Sequence, residues 1–171
     1  MTAPGGNAAF APALPGAGFR TCPATGRHIH LGAELLIKAN AVFAVVALLA
    51  RALAAVLLVL MRWQAVHLLP AVWFYRILGV HGMSMLIFFI IFFEMAVLFF
   101  ASTVLLNARN CAPRTSWGGF ALMLIGALMV EAMMWSGRAD VLFTSYVPLR
   151  ADPNFYLGVI FFAVGALVTV G

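Results

Sequence analysis

Four side chains that can carry charge or hold a metal lie inside segments otherwise built from Leu, Val, Ala, Phe and Met: Arg51, His81, Glu94 and Glu131. An ionised group left facing lipid costs about 2.5–3.5 kcal/mol on insertion scales, so each is expected to point into a bundle, a cavity or a cofactor. His81 sits within "WFYRILGVHGMSMLIFFIIFFE", residues 73 to 94. An imidazole there suits a hydrogen bond to a carbonyl or hydroxyl of a neighbouring helix, or coordination of a metal. Arg51 and Glu131 suit a buried ion pair. Glu94 suits either proton uptake or a neutral glutamic acid hydrogen-bonded between helices.

The elements that must position these groups follow from composition. Of 171 residues, 65% are hydrophobic and 9% charged, with a mean hydropathy of +1.08, which makes this a membrane protein. The net charge of +5 does not point to nucleic acid, because the Lys and Arg residues are scattered between apolar segments instead of forming a basic face. Two isolated cysteines, Cys22 and Cys111, are too few for a disulfide framework or a thiolate metal site. Residues 1–32 are rich in Pro and Gly, lack an apolar stretch long enough for a signal-peptide core, and read as a flexible tail.

Residues 33–171 read as an all-α polytopic transmembrane helical bundle with spans at about 34–62, 73–107, 116–136 and 154–171. Arg62, His67 and Pro70 mark the first connection, and Arg109, Pro113 and Arg114 the second. The second span, 35 residues long, must tilt or project beyond the bilayer. Trp117 and Trp135 bracket the third at the interfaces. The count of positive charges is nearly balanced between the two sides. Asp140, Asp152 and the longer loop favour an outer position for that loop, and hence a cytoplasmic N-terminus.

Depth can then be estimated from a rise of about 1.5 Å per residue. His81 lies roughly 12 Å below the outer end of its helix, Arg51 roughly 15 Å and Glu131 about 9 Å. The three groups are therefore expected in one layer of the outer half of the membrane. That layer suits either an Arg51–Glu131 ion pair or a haem, with His81 as axial ligand and Arg51 bonding a polar haem substituent; Gly82 would let a flat macrocycle or a helix approach. Glu94, 13 residues after His81, is turned about 220° from it on a regular helix. Met85, Phe88, Phe92 and Phe99 share the His81 face as an apolar stripe that packing alone explains.

The stretch "WFYRILGVHGMSMLIFFIIFFEMAVLFFASTVLLNAR" resembles the second transmembrane helix of the catalytic subunit of haem–copper oxygen reductases, where a His-Gly pair follows an outer loop. "ADVLFTSYVPLRADPNFYLGVIFFAVGAL" resembles their third outer loop and fourth helix, with the Tyr-x-Pro-Leu and Phe-Tyr-Leu-Gly pattern of the B family, the bacterial and archaeal branch. The resemblance covers residues 34 to 171 and corresponds to the N-terminal helices of a larger subunit. It implies that His81 is an axial ligand of the low-spin haem iron. Electrons would pass from there to a high-spin haem and copper that reduce oxygen, with coupled proton translocation. Arg51 would lie against the low-spin haem and Tyr146 near the oxygen channel. The second haem and the copper would be held by later helices of subunit I. Further partners implied are a copper-bearing subunit II and cytochrome c or quinol as electron donor, in a bacterial or archaeal plasma membrane. This piece alone is expected to be inactive.

The remaining histidines do not complete such a site. His67 lies in a connection, and His28 and His30 precede the first span, at its opposite end from His81. The "HIH" pair is either a surface metal site or incidental. A nitric oxide reductase-like subunit shares the helix-two histidine, and a non-catalytic accessory or assembly protein would share the fold alone; both stay open on sequence.

Overall fold

The computed structural model describes residues 18–66, 68–106, 108, 110, 112–141, 146 and 149–170. The first 17 residues of the expected tail, together with His67, Arg109 and Cys111, lie outside the described residues. A short hairpin pairs β1 (Phe19–Thr21) antiparallel with β2 (His28–His30). Four helices come after it: α1 (Leu31–Arg62), α2 (Ala71–Leu105), α3 (Pro113–Trp135) and α4 (Pro153–Val170). All four are long and apolar enough to cross a bilayer.

The hairpin corrects the expectation of a flexible tail through residue 32. Three-residue strands leave almost no alternation to read against a Pro/Gly-rich background, and a lone hairpin is marginal in water. Here it is held by the helices behind it. Arg20 reaches Glu34 on α1 at 2.9 Å, the Phe19 and His30 rings meet edge-on at 5.1 Å, and Arg27 donates to the Val104 carbonyl near the end of α2 at 3.3 Å. The turn of the hairpin also shapes a thiol. The Thr25 hydroxyl, then the backbone amides of Ala24 and Thr25, favour the thiolate of Cys22 and hold its pKa below the usual thiol value. In a Cys111→Ser background, alkylation of Cys22 by iodoacetamide is therefore expected to have its midpoint at lower pH than a free thiol. Thr25→Val should move that midpoint upward, and identical pH–rate curves would count against the turn geometry.

The long helix α2 is not regular. Residues Ser84–Phe89 and Ala101–Leu105 are π-helical, so each stretch accommodates about one extra residue and shifts the phase of the helix beyond it. Phe88 and Phe92 are buried on this helix and pack against Phe162 of α4, at 4.9 and 5.7 Å between ring centres.

Helices α3 and α4 form the tightest pair. Gly126 faces Gly158, and Gly119 faces Gly165, so the two backbones come into direct contact at these positions. Such close approach is how apolar helices associate in a bilayer, where burial from water gives no drive. At its C-terminus α3 closes in a Schellman motif: the Arg138 N–H donates to the Met133 carbonyl at 3.0 Å and the Gly137 N–H to Met134 at 3.1 Å. Gly137 takes φ 74°, which a side chain would resist. Beyond it the loop between α3 and α4 has a closed neck. Ala139 bridges Ala151, Arg138 pairs with Asp152 at 2.7 Å, and the Asp152 carboxylate accepts the Asn154 N–H at 2.9 Å, capping α4 before its first-turn Pro153.

Candidate functional site

Glu131 on α3 gathers the polar layer. It accepts hydrogen bonds from Arg51 Nη2 of α1 at 2.7 Å, from the Ser84 hydroxyl of α2, and from the Trp135 indole one turn along its own helix at 3.2 Å. The Arg51 guanidinium also stands 5.9 Å from the centre of the Trp135 ring. Only 15% of the Arg51 side chain and 17% of that of Glu131 are exposed, so the pair is largely withdrawn among the helices. A charge-assisted pair in such surroundings is structurally demanding, because either partner alone would be a poorly solvated charge. The Arg51 Nε is buried without a partner.

His81 joins this layer through the same residue. Its Nδ1 lies 3.0 Å from the Arg51 backbone carbonyl. A carbonyl oxygen only accepts, so Nδ1 carries a proton and donates it to Arg51. Nε2 has no hydrogen bond among the described residues and is not one of the fully enclosed unpaired atoms. A histidine held in this way, with one nitrogen oriented by a neighbour and the other unpaired among the described residues, could serve as a metal ligand.

Arg51, His81 and Glu131, expected in one layer, are thus brought together. Of the two readings of Arg51, the side chain makes the ion pair to Glu131. Two members of the cluster escaped the sequence reading. Ser84 lies three residues after His81, where the π segment begins; a serine at that spacing from an intramembrane histidine was the available signal. Trp135 read as an interface anchor, yet its position four residues after Glu131 places both on one face.

The other candidates lie elsewhere. Glu94 is exposed on α2 and makes no interhelical hydrogen bond among the described residues. The turn of about 220° assumed a regular helix, and the π stretch between His81 and Glu94 alters that phase. Tyr146 is 71% exposed in the loop between α3 and α4. His28 and His30 stand on β2, with His28 Nδ1 3.3 Å from the Thr21 hydroxyl. They lie about 30 Å along α1 from Arg51, by helix rise. Among the described residues no three His, Cys, Asp or Glu side chains converge as a metal site.

No curated protein and no solved structure was found to match the chain. The family described as cytochrome C and quinol oxidase polypeptide I matches residues 36–171, a stretch that takes in all of α2, α3 and α4, most of α1 and every member of the Arg51–His81–Ser84–Glu131–Trp135 cluster. The chain is a multi-pass membrane protein that belongs to this family, the catalytic subunits of haem–copper oxidases.

Proposed function

We propose that the chain supplies His81 as one axial ligand of the low-spin haem in a respiratory oxygen reductase of the B type. The observation that carries this reading is the His81 imidazole itself, with Nδ1–H given to the Arg51 carbonyl and Nε2 without a hydrogen-bond partner among the described residues. The residues present fit the group: a neutral imidazole nitrogen is a suitable ligand to iron, and its second nitrogen is oriented as such ligands require. Bound there, the haem supplies one-electron transfer toward the oxygen-reducing haem–copper centre.

The chain's own part is to hold and orient. α1 and α2 clamp His81, α3 brings Glu131 to Arg51, and the α3–α4 pair braces Glu131 from behind. The other ligands, the second haem and the copper belong in this reading to further helices of subunit I. A copper-bearing subunit II and cytochrome c or quinol complete the electron path. Proton uptake through Glu94, exposed on α2, and a place for Tyr146 beside the oxygen channel belong to the same reading. So do proton translocation and a bacterial or archaeal plasma membrane with the N-terminus in the cytoplasm.

The test is a reduced-minus-oxidised visible spectrum of the whole subunit with and without His81→Ala. Loss of the low-spin band is expected in the variant, at unchanged membrane content of the protein. A band that persists unaltered would remove His81 from the iron.

A further inference from the structure

We propose that Glu131 is a positioning residue for His81: it fixes the part of α1 whose Arg51 carbonyl orients the imidazole, and it cancels the Arg51 charge beside the iron site. This rests on the reading of His81 as an axial ligand. Arg51 makes both contacts from one residue, its guanidinium to Glu131 at 2.7 Å and its main-chain oxygen to His81 Nδ1 at 3.0 Å. Arg51 thus links the carboxylate to the imidazole through a single residue. Ser84, on the turn after His81, bonds the other Glu131 oxygen, so the carboxylate is tied to both helices that meet at the His81 contact. Trp135 closes the remaining side at 3.2 Å.

Two consequences reach an iron at Nε2. Donation from Nδ1 to a carbonyl raises the basicity of the imidazole and so favours the ferric state. Glu131 also neutralises a guanidinium that cannot lose its proton and whose Nε is already buried unpaired. Without the carboxylate, an uncompensated positive charge disfavours ferric iron.

The experiment is a spectroelectrochemical titration of the low-spin haem in the whole, haem-loaded subunit, comparing wild type, E131Q and the double variant R51Q/E131Q. E131Q is expected to raise the electron affinity about tenfold, which is about 59 mV for one electron. The double variant, which removes both charges and keeps hydrogen-bonding amides, is expected to return to within about twofold of wild type. A residue that merely supports the fold would leave the double variant at least as disturbed as the single. An unmoved E131Q, or a double variant displaced as far as the single, would overturn the proposal. Should E131Q assemble no low-spin haem, Glu131→Asp keeps the charge and shortens the reach. Its ferric electron paramagnetic resonance spectrum, which reports the imidazole plane, is then expected to change, and an unchanged spectrum overturns the proposal. Retention of the low-spin band in His81→Ala would separately remove the reading beneath it.

Discussion

Gly126→Leu is expected to destabilise the helical bundle by about 3 kcal/mol or more, whereas Gly118→Ala, on the same helix, should be neutral or stabilising by up to about 1 kcal/mol. The difference lies in what a side chain would meet. A Cβ at Gly126 would stand 2.5 Å from the Gly158 carbonyl oxygen and 2.5 Å from the Phe162 amide nitrogen. Both are backbone atoms, which cannot swing aside, so α3 and α4 must separate. A Cβ at Gly118 meets nothing within 4 Å, and alanine simply removes the entropic penalty that glycine carries in a helix. Separation also forfeits dispersion along the whole α3–α4 seam, because the Gly119–Gly165 contact lies on the same line. Glu131 comes little more than one turn after Gly126, so a displaced α3 carries its carboxylate away from Arg51. Thermal unfolding in detergent micelles, monitored by circular dichroism, measures both variants. Equal shifts of the midpoint for the two would show that the close approach contributes nothing.

That seam and the polar layer were not equally legible in the sequence. The layer was, because a fixed rise per residue converts position into depth, and antiparallel neighbours then place Arg51, His81 and Glu131 at one level. Their partners were less so. Ser84 is an ordinary residue to find in a helix, and nothing local announces that a π turn begins there. The same π turn means that a regular helical period does not give the direction of Glu94 relative to His81. Trp135 satisfied one expectation, an aromatic residue near a membrane interface, and this concealed a second, an indole N–H within reach of Glu131. The hairpin at 19–30 was hidden for a different reason. Arg20 and Arg27 tie it to α1 and to the end of α2, which are tertiary contacts that no local composition encodes. Four apolar spans were readable from hydropathy alone, since a bilayer leaves the backbone few alternatives to helix.

The second large effect concerns the ion pair, and it is expected to be asymmetric. Glu131→Leu should destabilise the bundle by about 3–5 kcal/mol, the range for stranding one partner of a buried pair. The stranded group is a guanidinium, which has no neutral form to adopt, in a side chain 15% exposed whose Nε already lacks a partner. Arg51→Met strands a carboxyl instead. That group can be neutral, and it retains the Ser84 hydroxyl and the Trp135 indole as partners, so a loss of about 1–2 kcal/mol is expected. The double variant R51M/E131L should recover to within about 1 kcal/mol of wild type, because paired charges in a poorly solvated site are often replaceable by apolar groups at little net cost. Purely additive losses across this cycle, read by the same thermal unfolding, would mean that the two residues do not act as a pair. The expected recovery has a consequence for function. If an apolar pair holds the helices together nearly as well, stability alone does not account for an arginine and a glutamate at these positions. What the apolar pair cannot reproduce is the tie from Glu131 through Arg51 to the Nδ1 of His81. R51M/E131L is therefore expected to be stable and yet to hold its low-spin haem at an altered potential, unlike R51Q/E131Q, which keeps the hydrogen bonds.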